Sequence, residues 1–174
     1  MEGVRSMREY LLLLPILFIF HDMEEIVGIE WFCSKNPWLF ERYPKIVNTY
    51  KGLTHMGFSA AVYEEFIPFF GVSLLAYYFP GQVLFALWYG IFLALTGHFV
   101  IHIGQAIAIR KYIPCIATSL ICLPVSIVIL VKSAAFIEWN ALAVVFAISG
   151  ILIMLANFKV AHGVMHYVNM KITG

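Results

Sequence analysis

Charged residues are scarce in this sequence: they make up 12% of the 174 residues, while 62% are hydrophobic. The mean hydropathy is +0.89. A typical soluble domain has about 25% charged and about 45–50% apolar residues, so the composition excludes an ordinary soluble domain and indicates an integral membrane protein. The net charge of +1 gives no reason to expect nucleic-acid binding.

Paired cysteines and glycine-rich nucleotide loops are also missing. Cys33, Cys115 and Cys122 form no CxxC pair, so they predict neither a disulfide framework nor a zinc ribbon, and we interpret them as packing residues. No Rossmann or P-loop glycine pattern is present. Redox chemistry would therefore need electrons from a separate protein partner or from the substrate itself.

Long apolar runs separated by polar breaks predict an all-α fold, a polytopic bundle of five transmembrane helices in a single domain, residues 1–174. Lys and Arg are more frequent near the helix ends on the side of the C-terminus than on the side of the N-terminus. This excess favours a C-terminus on the inner side of the membrane and an N-terminus on the outer side. The predicted location is thus multi-pass, in contact with membrane lipids. The predicted helices cover about residues 10–33, 53–79, 82–109, 112–132 and 137–169.

The segment His21-Asp22-Met23-Glu24-Glu25 puts ionisable groups in the middle of the first apolar run. A charge at bilayer depth costs about 2.5–3.5 kcal/mol, so these carboxylates need a neutralising partner. On a helix, His21, Glu24 and Glu25 stand at i, i+3 and i+4 and point into one sector. Imidazole and carboxylates aimed at one point are a metal-ligand set, and a divalent cation would supply the missing positive charge.

Two pairs of histidines in later apolar runs have i, i+4 spacing: His98 with His102, and His162 with His166. This spacing puts both rings of a pair on one helix face, as when two histidines bind one metal ion or flank a dinuclear one. For His162 and His166 an interfacial polar cap is the alternative, because a long apolar run precedes them.

A pair of glutamates, Glu64 and Glu65, lies at the centre of the second predicted helix. If successive helices alternate in direction, with a rise of about 1.5 Å per residue, the polar motifs of four helices lie about 10–16 Å from the inner membrane surface. This shared depth predicts one internal metal site. Its predicted ligands are His21, Glu24, Glu25, Glu64, Glu65, His98, His102, His162 and His166. The residues predicted to hydrogen-bond these ligands are Asp22, Gln105 and Asn169.

The segment His21-x-x-Glu24-Glu25 resembles the HxxEE family of small membrane proteins, which is named for this motif. Its setting in a first apolar helix, with Glu and His residues in later spans, extends the resemblance over most of the chain. The resemblance implies a metal-dependent role. It implies no particular activity, because the function of the family is unassigned. It rests directly on His21, Glu24 and Glu25, whereas the other ligand assignments come from spacing.

Four membrane carboxylates balance two divalent cations, which predicts two transition-metal ions, with iron favoured over zinc and manganese. Mixed Glu and His ligands from four helices are typical of carboxylate-bridged di-iron bundles. The favoured function is therefore an oxidoreductase acting on a lipid-soluble small-molecule substrate. A zinc hydrolase with Glu24 or Glu25 as the catalytic general base stays open, as does a divalent-metal transporter, for which a homodimer would form the path.

Overall fold

The computed structural model describes residues 2–47 and 50–173, and these residues form eight helices and no strand. The all-α prediction is confirmed for this part of the chain. The helices are α1 (Glu2–Leu11), α2 (Leu13–Lys35), α3 (Trp38–Arg42), α4 (Pro44–Val47), α5 (His55–Tyr78), α6 (Gln82–Ile109), α7 (Ile116–Ala134) and α8 (Ala141–Thr173).

Within the described residues, four helices are long and apolar enough to cross a membrane, namely α5, α6, α7 and α8. This number is consistent with a multi-pass membrane protein but is one fewer than the five spans predicted. The remaining long helix, α2, has 23 residues, which is a sufficient length. Its apolar sequence is interrupted by Asp22, Glu24, Glu25 and Glu30. The orientation of the termini stays a prediction.

The segment between α6 and α7 is longer than predicted, because α7 begins at Ile116 rather than near residue 112. Arg110 and Cys115 have positive φ angles of 55° and 73°. Non-glycine residues rarely adopt this left-handed conformation, and it cannot continue a right-handed helix. The segment therefore turns twice before α7 begins, which brings Cys115 back against α6.

The break between α1 and α2 lies at Leu12, shortly before Pro15. Pro15 has no backbone N–H, so the carbonyl of Leu11 loses its helical donor. Trp88 of α6 replaces that donor, because its indole N–H donates to the Leu11 carbonyl over 3.0 Å. The Trp88 side chain is fully buried, and this bond joins the end of α1 to the first half of α6.

Helix α6 packs against α5, α7 and α8. Its first half approaches α8 closely: a Cβ at Gly90 would collide with the carbonyl oxygen of Ala147, and one at Gly150 would collide with that of Leu87. Small residues allow such close contacts between helices in membranes. Helix α2 packs against α5 and α7.

Candidate metal centre

The cluster at the centre of the bundle consists of two side chains one turn apart on α2 and two side chains one turn apart on α6. They are His21 and Glu25 on α2, and His98 and His102 on α6. One potential ligand atom from each residue can be chosen so that all four lie within 4.8 Å of one another. Tetrahedral ligands about 2.0–2.2 Å from an ion are about 3.4 Å apart, so shifts of about 1 Å would let these four bind one ion.

The two histidines of α6 are in direct contact. Their Nε2 atoms lie 2.7 Å apart, a hydrogen-bond distance. The Nδ1 atom of His102 lies 3.1 Å from the side-chain oxygen of Gln105, which was predicted to support the ligands. The Nε2 atoms of His98 and His102 are therefore close enough to bind one ion, which would take the place of the hydrogen between them.

His21 is fully buried and has one ring nitrogen without a hydrogen-bond partner among the described residues, Nε2. Its other nitrogen, Nδ1, lies 3.1 Å from the hydroxyl oxygen of Thr118. The ring centroid of His21 is 5.4 Å from that of His98 and 5.1 Å from that of His102. A buried polar atom without a partner costs about 1–3 kcal/mol, so the position of this nitrogen favours a ligand at the cluster.

A cavity of about 290 Å³ opens beside the cluster, and residues of α2, α5, α6 and α8 line it. It is about as large as a small ligand pocket, so it has room for more than a bare ion. Asp22 is buried, with 4% of its surface exposed, and lies close enough to Glu25 and Glu65 to interact with both carboxylates. The polar lining residues are Asp22, Glu25, Tyr50, Glu65, His98, His102, Gln105 and His162.

Glu24 is not a member of the cluster and accepts hydrogen bonds at the N-terminus of α7. The donors are the backbone N–H groups of Ala117 and Thr118, at 3.4 and 2.8 Å, and the hydroxyl groups of Thr118 and Tyr112. The bond to Glu24 raises the pKa of Tyr112 to about 12. A carboxylate at a helix N-terminus also interacts favourably with the helix dipole. The two glutamates of the motif thus occupy different environments.

Three other predicted residues lie outside the cluster. Glu64 lies beside Asn157 of α8, and one of its oxygens is buried. His166 is exposed on α8. Asn169, near the end of α8, accepts hydrogen bonds from the backbone and hydroxyl of Thr54, at 3.2 and 2.7 Å, where α5 begins. The structure therefore brings together His21, Asp22, Glu25, Glu65, His98, His102, Gln105 and His162, and leaves Glu24, Glu64, His166 and Asn169 elsewhere.

Cys115 is buried, as expected for a packing residue, but it also contacts the cluster, which its interpretation from the sequence did not predict. Its sulfur lies 3.1 Å from Nδ1 of His102. Burial, with the nearby Glu25 and Glu24 carboxylates, raises the pKa of the Cys115 thiol well above its usual range. Sequence spacing could not reveal this contact or that of Thr118, because both depend on the path of the segment before α7.

A second, mostly apolar cavity of about 120 Å³ adjoins the first. The two cavities share Glu25, Tyr50, His102 and Gln105. The rest of the smaller cavity is lined by side chains of α2, α3, α4, the end of α6 and the segment after it. Prominent apolar members are Ile29, Phe32, Leu39, Phe40 and Ile113.

The model of a family described as proteins of unknown function with an HXXEE motif matches residues 12–129 of this chain. The matched region contains His21, Glu25, His98 and His102, and it ends within α7, before α8 begins. No curated protein and no solved structure matches the chain.

Proposed function

The chain belongs to the HXXEE family of proteins of unknown function, and we propose that it is a metal-dependent integral membrane enzyme acting on a lipid-soluble substrate. His21, Glu25, His98 and His102 are the proposed ligands of its metal. The observation that carries this proposal is their convergence, with potential ligand atoms within 4.8 Å of one another. The buried Nε2 of His21, which has no partner among the described residues, supports the same conclusion.

We further propose that α2 is a fifth membrane span. The residues of α2 with exposed side chains include Ile16, Phe20, Met23, Val27 and Trp31, which recur at helical spacing on one face and are all apolar. Asp22 and Glu25 are buried on the other side, inside the protein. A helix with this distribution can face lipid although it contains carboxylates, because polar residues within membranes face the bundle interior.

A second ion is part of the proposal, and it would lie on the cavity side of Glu25. Asp22, Glu65 and His162 line the cavity there together with Glu25, on three different helices. Buried carboxylates without compensating charge are costly, and two divalent cations offset the charge of several such groups. Iron, zinc and manganese are all candidates, because imidazole and carboxylate ligands suit all three. Iron is favoured because the ligand types are those of di-iron bundles.

Oxidoreductase chemistry is the favoured reaction class. Glu and His side chains from α2, α5, α6 and α8 around one cavity are similar to the ligand arrangement of carboxylate-bridged di-iron bundles. Bound iron would supply the electron transfer, with electrons from a separate protein partner or the substrate. The apolar cavity that adjoins Glu25 and His102 would hold the hydrocarbon part of the substrate next to the ligands.

A zinc-dependent hydrolase is the second candidate, and the position of Glu65 favours it. Glu65 lines the cavity but is not a member of the four-residue cluster. A carboxylate beside a metal site, but not bound to the metal, can act as a general base that removes a proton from the attacking water. In this alternative Glu65 takes the role that the sequence predicted for Glu24 or Glu25.

Metal analysis of the purified protein tests the proposal and separates the two candidates. We expect about two equivalents of metal per chain, with iron supporting the oxidoreductase and zinc the hydrolase. His98→Asn and Glu25→Gln should each remove most of this metal. His55→Asn is the matched control, because His55 lies outside the cluster, with its ring bonded to the carbonyl of Ile26. A folded protein that takes up no metal on titration would rule out both candidates.

A further inference from the structure

We infer that Glu24 is a positioning residue of the metal centre, which acts through Thr118 on the tautomer and orientation of His21. The three side chains form one hydrogen-bonded chain: an oxygen of Glu24 lies 2.7 Å from the Thr118 hydroxyl, which lies 3.1 Å from Nδ1 of His21. This inference deepens the proposed function and rests on it for the effect on metal affinity.

The direction of the first hydrogen bond follows from the partners of Glu24. The backbone N–H groups of Ala117 and Thr118 can only donate, and they point at the two carboxylate oxygens of Glu24. These contacts identify both oxygens as acceptors. The hydroxyl of Thr118 therefore donates to Glu24, and this charge-assisted bond is the shortest that the hydroxyl makes.

The direction of the second bond follows from the single hydrogen of the Thr118 hydroxyl. The carbonyl of Cys115 is the other oxygen acceptor near it, at 3.3 Å, and is farther away than Glu24 at 2.7 Å. With its hydrogen directed to Glu24, the Thr118 oxygen can only accept from Nδ1 of His21. The network thus assigns the hydrogen of the His21 ring to Nδ1.

A neutral imidazole with its hydrogen on Nδ1 carries its lone pair on Nε2. In His21 this is the buried nitrogen without a partner among the described residues, and the ring is close to those of His98 and His102. A lone pair is what a metal ion requires, whereas the other tautomer would direct an N–H group at the site. Hydrogen bonds to the second nitrogen commonly set the tautomer and orientation of ligand histidines.

This chain of bonds gives separate roles to the two adjacent glutamates of the motif. Glu25, four residues after His21, joins the ligand cluster with it. Glu24, three residues after His21, reaches the same Thr118 that His21 contacts. One turn of α2 therefore presents two ligands, His21 and Glu25, to α6 and one positioning residue, Glu24, to α7.

The test compares the affinity for Zn²⁺ of the unmodified 174-residue chain and four variants in detergent. Thr118→Val keeps the side-chain shape but removes the hydroxyl, and Glu24→Gln weakens the acceptor; each should reduce affinity about 10- to 100-fold. Thr118→Ser restores the hydroxyl and should stay within about threefold of the wild type. Tyr112→Phe is the matched control, since it removes a hydrogen bond to Glu24 but leaves the chain to His21 intact.

A double variant and a spectroscopic readout separate positioning from a merely structural role. Because both residues act on one path, Glu24→Gln combined with Thr118→Val should weaken binding no more than the stronger single substitution. In ¹⁵N spectra of the metal-free protein, with the His21 signals assigned from His21→Asn, wild-type His21 should carry its hydrogen on Nδ1. Thr118→Val should give a mixture of tautomers, and Thr118→Ser should restore the wild-type spectrum.

The two readouts also distinguish this inference from the proposed function. If the wild type binds no Zn²⁺ but His21 has the expected tautomer and loses it in Thr118→Val, the metal proposal fails and the positioning role stands. If Thr118→Val keeps both the wild-type affinity and the wild-type tautomer, the positioning role is overturned. Equal losses of affinity in Tyr112→Phe and Thr118→Val would overturn it as well, because they would trace the effect to the start of α7.

Discussion

The two halves of α6 (Gln82–Ile109) differ in what they bury. The first half buries aromatic side chains, with the rings of Trp88 and Phe92 stacked at 5.1 Å, and makes the glycine contact with α8 at Gly90. The second half presents His98 and His102 to the cluster and to a cavity of about 290 Å³. One helix thus combines dense apolar packing with an open polar site.

This difference indicates that the apolar half of α6 contributes to stability and the polar half to the binding of a ligand. Close packing fixes helix positions, because large voids and overpacking both cost stability. The polar half instead faces an unsatisfied group: Nε2 of His21, on α2, has no hydrogen-bond partner among the described residues, which costs about 1–3 kcal/mol in the absence of a ligand. We therefore expect substitutions in the first half to change stability, and substitutions in the second half to change metal binding.

The largest expected effect is that of Gly90→Leu. A Cβ at residue 90 would meet the backbone of Ala147, with the Cα of Ala147 at 2.9 Å, so α6 and α8 would have to separate. The free energy of unfolding in detergent should fall by about 3 kcal/mol or more. Gly97→Leu on the same helix is the control, because a Cβ there would meet no described atom of a neighbouring helix within 4 Å. Similar losses for both variants would show that the close contact is not the cause.

The second-largest expected effect is that of metal removal, which tests the contribution of the polar half of α6. With free metal at 100 times its dissociation constant, chelation should lower the stability of the wild type by about 2.7 kcal/mol. In His98→Asn the stability should be the same with and without chelator, because this variant lacks a proposed ligand. Thermal unfolding with and without chelator measures both. If chelator lowered the stability of His98→Asn as much as that of the wild type, His98 would not be one of the ligands.

A smaller effect is expected for Trp88→Phe, which keeps an aromatic ring in the apolar half but replaces the indole by a smaller ring without an N–H. The carbonyl of Leu11 would lose its donor over 3.0 Å, and Pro15 cannot provide a helical one. The free energy of unfolding should fall by about 1–2 kcal/mol, with metal affinity unchanged. Trp139→Phe is the control, because the indole of Trp139 is exposed although it also donates to a carbonyl. A loss of metal in Trp88→Phe would mean that the two halves are not independent.

The smallest effect is expected for His166→Asn. His166 is exposed on α8, so its replacement should leave metal content and stability within experimental error of the wild type. Metal analysis beside His98→Asn measures this directly. If the metal were lost, His166 would be a ligand, as its spacing from His162 predicts, and α8 would have to rotate to bring it inward.

The sequence alone determined the all-α class, because apolar runs of about 20 residues with few charges have no other stable form in lipid. It also determined which faces could bind metal on α2 and α6, since residues four positions apart on one helix share a face whatever the helix packs against. His21 with Glu25, and His98 with His102, follow from this regularity.

Only the tertiary structure decided which helical faces meet. Glu24 and Glu25 are adjacent in the chain, yet the first reaches the N-terminus of α7 and the second the cluster, because the helix turns about 100° per residue and different neighbours occupy the two directions. His162 and His166 share a spacing rule with His98 and His102, but His166 is exposed on α8. Cys115 and Thr118 reach the histidines through two positive-φ residues before α7, and no periodicity encodes such a path. Helical spacing is a local property of the backbone, whereas the partner of each face depends on the packing of the whole bundle.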